Sequence, residues 1–286
     1  MSLTLRKIKS KIRSVGDIQN IIDSMHTIST IKIKKAHDAL FKAREYSENI
    51  SILFNDLLPS IDRSIHPLLT EREPVNKLYI IITSDHGLCG SFNSNIISTA
   101  EKEFSYLDKD ELFLICVGKK GQEYFTAKGY NVIGEYIRFF DELGYQHAME
   151  VAKVVMDLFM LFEIDRATII YNEYKSMIRQ SVVIQQYLPL VRRPASKKLS
   201  GSMLLIPSAE DIVRNLIPQY LNIQMWECLL ESYAAEQAAR MMAMESSSQN
   251  AKQMLNELNL EYNKTRQNEI TSELIDVVGG IKSAIH

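Results

Sequence analysis

The chain has 286 residues, 46% hydrophobic and 24% charged, with a formal net charge of −2. That composition supplies a core of ordinary size, and the near balance of charge excludes the global basic field that nucleic-acid binding uses. Three cysteines, Cys89, Cys116 and Cys228, lie far apart without metal-ligand spacing and read as reduced, buried thiols.

From Leu3 to Leu58 there is no proline, and apolar residues recur at Ile8, Ile12, Val15, Ile22, Met25, Ala36, Leu40, Ala43 and Ile50. Spacings of three, four and seven fit the seam of a coiled coil. Gly16 weakens this helix by about 1 kcal/mol relative to alanine. Its charge is one-sided. Between residues 1 and 44, Arg6, Lys7, Lys9, Lys11, Arg13, Lys32, Lys34, Lys35, Lys42 and Arg44 face only Asp17, Asp23 and Asp38 as acids. Such a helix either exposes a solvated face or prefers an acidic neighbour. The basic start leads into no apolar segment of the kind a secretory signal needs. The most apolar run, Val151 to Phe162, is broken by Lys153 and Asp157, so membrane association is expected only through a partner.

Pro59, Pro67 and Pro74 end the first helix. Residues 77 to 188 have a different texture. Leu78 to Thr83, Leu112 to Val117 and Ala167 to Tyr171 are short, continuous apolar runs suited to strands buried on both faces. Helical patterns lie between them at Asn95 to Leu107, Lys120 to Lys128 and Gln146 to Leu161. This alternation predicts a small α/β domain. Pro189, Pro194, Pro207 and Pro218 mark a second connector, with a loop expected from Ala195 to Ser202. From Gln219 to Val278 neither proline nor glycine occurs, enough for a helix of roughly 90 Å at 1.5 Å per residue. Its apolar positions are Leu221, Met225, Leu229, Met242, Leu255, Leu258, Tyr262, Ile270, Leu274 and Val277, with the polar run Ser246 to Asn250 interrupting them. The two terminal helices each need cover, and packing them on each other is the simplest solution. The expected division is therefore a helix over 1–58, an α/β domain over 75–190 and a second helix over 208–286.

Two short motifs bear on chemistry. Ser84-Asp85-His86-Gly87-Leu88-Cys89-Gly90-Ser91-Phe92-Asn93-Ser94-Asn95 follows a strand and opens a helix. It is either a phosphate cradle at a helix N-terminus or a tight capped turn, and it lacks both the dinucleotide fingerprint and a P-loop. Cys89 beside His86 and Asp85 makes a thiol nucleophile only if the three converge in space. Gly118-Lys119-Lys120-Gly121 is a second possible anion site or a solvated turn. The six histidines are scattered, and no carboxylate pair stands out for acid–base work. No catalytic, cofactor-binding or metal-binding residue is expected.

Several motifs, taken together, resemble the gamma subunit of F-type ATP synthases. They are Ile8 to Val15 with Gln19 and Met25, the Ser84 to Asn95 turn, Pro207 to Asp211, and Leu229 to Ser232. Further along come Ala239 to Met244 with Gln249-Asn250-Ala251, Leu260 to Gln267, Ile270 to Leu274, and Val277 to Gly280. They span essentially the whole chain in the family's order. The resemblance implies an antiparallel coiled coil of the terminal helices with an inserted, Rossmann-like α/β domain. It implies a central-stalk rotor that couples ion-driven rotation of a membrane ring to ATP synthesis or hydrolysis in a hexamer of alpha and beta subunits. The implied partners are those subunits, the epsilon subunit and the c-ring, with no nucleic acid and no cofactor. The implied place is the cytoplasmic face of a bacterial inner membrane or the equivalent organellar face. Arg266 and Gln267 match the family's Arg-Gln pair that contacts a beta subunit, and Met25 matches a methionine near the beta lever, an acidic element that the basic first helix would meet. His86 stands where the family has arginine, Ser91 where it has a second glycine, and Asp23 where it favours a base. A rotor of a paralogous complex that only hydrolyses ATP, and a stand-alone α/β enzyme with helical arms, are the alternative readings.

Overall fold

The computed structural model describes residues 3–57, 66–190 and 209–284. Pro59, Pro194 and Pro207 and the loop expected from Ala195 to Ser202 lie outside them. The elements in chain order are α1 (Leu3–Leu57), β1 (Lys77–Ile82), α2 (Phe92–Phe104), β2 (Leu112–Val117), α3 (Lys119–Ala127), β3 (Asn131–Tyr136), α4 (Tyr145–Met160), β4 (Arg166–Tyr174), β5 (Gln180–Leu188) and α5 (Ala209–Ala284). The chain forms two compact units, residues 30–240 and residues 1–29 with 241–286.

In the larger unit the strands build one sheet in the order β3-β2-β1-β4-β5. β1 pairs in parallel with both β2 and β4, β2 in parallel with β3, and β4 antiparallel with β5. This is the doubly wound arrangement, in which strand order reverses on either side of β1. The continuous apolar runs are buried on both faces, as parallel strands require. Because successive side chains alternate, Leu78, Ile80 and Ile82 join Ile115, Val117 and the α4 residues Val151, Val155 and Phe159 on one face. Tyr79 and Ile81 join Leu114, Cys116 and the α2 residues Phe92, Ile96 and Phe104 on the other. The long helices supply both cores: Phe54 and Leu221 enter the first, Leu40 and Ala235 the second.

Two strands escape the sequence pattern. In β3 exposed and half-buried residues alternate, and β5 is half-buried along most of its length. Both are edge strands with polar residues among the apolar ones, so neither shows the unbroken apolar run that marks β1, β2 and β4. Pro218 also differs from expectation. It lies inside α5 rather than in a connector. A proline removes one backbone donor and crowds the preceding turn. Here its neighbours Ile217, Tyr220 and Leu221 are buried in the core, and that packing carries the helix through.

Each unit by itself pairs the two long helices antiparallel. In the larger one Arg44 and Ser47 on α1 meet Glu231 and Glu227 on α5, and the Phe54 ring stacks on Tyr220 with centroids 4.6 Å apart. In the smaller one Asp23 meets Ser248, and His26 meets Glu245. Moving forward on α1 moves backward on α5 in both. Of the expected α1 seam, Ile8, Ala36, Leu40, Ala43 and Ile50 are buried, and Ile12, Val15, Ile22 and Met25 are half-buried.

The α5 seam departs from its sequence reading. Met242 is 41% exposed, and Met244, Ser248 and Ala251 are the buried residues. Two residues separate Met242 from Met244, which is about 200° around a helix of 3.6 residues per turn. Leu255, Leu258 and Tyr262 are half-buried, but Ile270, Leu274 and Val277 are exposed. Continuing the Asp23–Ser248 register places Leu3, where α1 begins, opposite the neighbourhood of Asn268. Among the described residues no turn of α1 faces α5 beyond it.

Gly16 sits in α1 with nothing within 4 Å of where a Cβ would stand. Gly16→Ala is therefore expected to stabilise the helix by about 0.5–1 kcal/mol, read as a higher midpoint in thermal melts followed by circular dichroism. A lower midpoint would show that the backbone at this position is needed as glycine.

Candidate functional site: the sheet edge, the helix joint and the exposed shaft

A doubly wound sheet binds ligands outside the carboxyl ends of its strands, at the point where strand order reverses. Here that place follows β1, and it holds the Ser84–Asn95 turn. The turn is closed by Asn93, whose Oδ1 accepts from Ser84 N at 3.0 Å while its Nδ2 donates to Ser84 Oγ at 2.7 Å. Leu88 and Gly90 adopt positive φ. Asp85 is buried, and its Oδ1 accepts from Lys119 N at 3.1 Å and Arg138 N at 2.9 Å. Lys119 is the first residue of α3, so the carboxylate occupies the positive end of that helix where a phosphate would sit. The turn is capped from its own chain, and an incoming anion would meet a carboxylate.

α5 covers the same turn. Arg240 donates to the carbonyls of His86 and Gly87, each at 3.3 Å, and pairs with Glu236 at 2.6 Å. Both side chains of that pair are more than nine-tenths buried. Burial pushes the Glu236 carboxyl up, with Asp85 adding to the rise and Arg240 opposing it.

The possible thiol dyad does not assemble. Cys89 is buried, and its sulfur lies near Asn93 Nδ2 and Ser84 Oγ at 3.3 and 3.7 Å. Burial raises its pKa, the reverse of what a nucleophile needs. The His86 ring is largely exposed and pairs with Asp141 at 3.7 Å. Gly118 and Gly121 form a close join instead of an anion cradle. A Cβ on Gly118, whose φ is +99°, would stand 2.2 Å from the Thr83 carbonyl oxygen, and Gly121 N donates to Thr83 Oγ1 at 2.9 Å. Among the described residues no group of three or more His, Cys, Asp or Glu could hold a metal ion.

A second constellation ties the long helices to the sheet. Glu231 is 3% exposed on α5. Its Oε1 accepts from Arg44 Nε at 2.7 Å, and its Oε2 accepts from the backbone N of Tyr174 at 2.8 Å, at the end of β4. Arg44 also donates to the Tyr174 carbonyl at 3.0 Å. Burial raises the Glu231 carboxyl, while the Tyr174 N–H and Arg44 pull it back. In the sequence only Glu231 falls in a singled-out motif, Leu229 to Ser232, and its partners Arg44 and Tyr174 lie far from it along the chain.

The residues singled out by resemblance lie in the smaller unit. Arg266 and Gln267 are exposed on α5, and Met25 is half-buried on α1. They do not converge: with His26 opposite Glu245, Arg266 lies about 30 Å further along α5. Arg6, Lys7, Lys9, Lys11 and Arg13 are all exposed on α1.

Two variants test the joins. Gly118→Ala is expected to destabilise the larger unit by about 2–4 kcal/mol, from backbone strain and overpacking together, seen as a lower urea midpoint. Glu231→Ala strands a buried N–H and a guanidinium and is expected to cost about 2–4 kcal/mol. An unchanged midpoint in either case would refute the corresponding join.

The ATP synthase family model matches residues 4–284. The ATP synthase gamma chain of Chloroherpeton thalassium is 37% identical, and the match covers 97% of each chain. That of Chlorobium phaeobacteroides is 38% identical, again over 97% of each chain. The rotor of the Euglena gracilis mitochondrial ATP synthase matches with a TM-score of 0.67 at 19% identity, covering 93% of this chain and 99% of that one. The central stalk and c-ring structure of the Tetrahymena thermophila mitochondrial enzyme gives 0.60 at 22% identity, covering 80% and 99%. With a family match along nearly its full length and curated gamma chains alike from end to end, this chain belongs to the ATP synthase gamma chain family.

Proposed function

We propose that the chain is the central-stalk rotor of an F-type ATP synthase. It would couple ion-driven rotation of a membrane c-ring to ATP synthesis or hydrolysis in the alpha and beta subunits. The observation that carries this reading is the antiparallel pairing of α1 and α5 in a chain alike to gamma chains along 97% of its length. In this reading residues 1–58 and 208–286 are the shaft and 75–190 the foot, which meets the epsilon subunit and the ring. The chain itself is not catalytic. Its turn after β1 is filled by Asp85, and its thiol is buried. Among the described residues no helix is long and apolar enough to cross a membrane, so the chain would be held at the membrane face by its partners. That face is the cytoplasmic one in a bacterium, or the equivalent organellar one.

The contacts with a beta subunit would be made by Arg266 and Gln267 and by Met25. The exposed cluster from Arg6 to Arg13 would meet an acidic lever. Exposed guanidinium and amide groups on a stiff helix suit carboxylates and carbonyls that approach in only some rotary positions. Charge-assisted hydrogen bonds contribute about 1.5–3 kcal/mol each, so losing contacts made in one rotary state alone slows turnover about ten-fold or more.

Reconstitution with alpha and beta subunits tests this. The chain alone is expected to hydrolyse no ATP, and the assembled complex to do so. The double variant Arg266→Ala, Gln267→Ala is expected to reduce turnover of the assembled complex while leaving the helicity of the isolated chain unchanged, since alanine is the best helix former. Wild-type turnover in that variant would remove the pair from the contact.

A further inference from the structure

The run Ser246 to Asn250 interrupts the apolar seam of α5, yet Ser248 is only 5% exposed. Its hydroxyl donates to Asp23 Oδ1 across the helix pair at 2.7 Å. One turn away His26 Nε2 lies 3.5 Å from Glu245 Oε2. The buried α5 residues on either side, Met244 and Ala251, hold register poorly. One is a flexible chain that fits many gaps, and the other is a single methyl. A polar residue in an otherwise apolar seam fixes register, because a slip leaves it without its partner. Here a slip of one turn parts both pairs at once.

We propose that Asp23 and Ser248 form a register lock in the shaft. Asp23 is two residues from Met25, so the lock sets which turn of α5 stands beside Met25 and which face Met25 offers. The two act as positioning residues for rotary coupling, and that part rests on the rotor reading. Asp23, one of the few acids on the basic first helix, is thereby matched to a hydroxyl in this same chain.

The test uses the full chain, alone and assembled with its partner subunits. Spin labels go to cysteines placed at Ile28 and Leu260, both more than half exposed; Ile28 faces Ala243 in the Asp23–Ser248 register, so the labels stand about 25 Å apart along the helix axis and a slip adds directly to their distance, while the native cysteines are buried. Pulsed electron-spin distances in the parent are expected to be narrow. Ser248→Ala and Asp23→Ala should each broaden them or shift them by about 5 Å, one helical turn. Ser248→Thr, which keeps the hydroxyl, should restore the narrow distribution. In the assembled complex the two alanine variants should transport several-fold fewer ions per ATP hydrolysed, and Ser248→Thr should not. Unchanged distances in both alanine variants overturn the lock, even if coupling falls. Changed distances with parental coupling overturn its functional part. Should the parent chain fail to support coupled turnover, the rotor reading falls, and the distances in the isolated chain still decide the lock.

Discussion

Glu231 is the point on which the architecture of the larger unit turns. A carboxylate at 3% exposure is costly unless every oxygen is used, and here one oxygen takes the Arg44 guanidinium and the other takes the backbone N–H of Tyr174. One side chain thus joins three elements that have no sequence proximity: α1, α5 and the end of β4. Hydrophobic packing supplies most of the stabilisation, but it is non-directional. The charged joint specifies where along the sheet the helices seat, since a shift of one turn would bury an unpaired charge.

The same logic explains how a doubly wound sheet can serve as a scaffold. Folds of this kind host many unrelated functions, so function must be argued from the site. The crevice beyond β1 is closed by Asp85 on the α3 terminus and by Arg240 reaching from α5 to the carbonyls of His86 and Gly87. Groups that would hold a ligand elsewhere here hold the chain to itself. Of these bonds, those of Arg240 tie α5 to the turn after β1, and those of Asp85 tie that turn to α3 and to the segment after β3.

Legibility in the sequence followed physical uniformity. β1, β2 and β4 were readable because strands buried on both faces must be apolar throughout. β3 and β5 were not, because an edge strand meets different surroundings on its two faces and keeps polar residues. The α1 stripe was readable from Ile8 to Ile50. The α5 stripe departs from its sequence reading at Met242, where the neighbouring Met244 is buried instead, and it continues through a serine, Ser248, whose fitness for the seam depends on Asp23 across the interface. Pro218 reads as a boundary on local grounds, and core packing of Ile217 and Tyr220 overrides it.

The sequence by itself determined the two long helices, the α/β alternation between them, the lack of a P-loop, and, through motifs spread along the whole chain, the family. These follow from periodicity and composition, which each residue carries locally. The tertiary structure alone decided that Asp85 caps α3, that Cys89 and His86 part company, and that Arg44, Glu231 and Tyr174 meet. It also decided that Asp23 and Ser248 answer one another across the seam. Those are pairings between residues far apart in the chain, and a hydrogen bond depends on where two groups arrive rather than on what either one is.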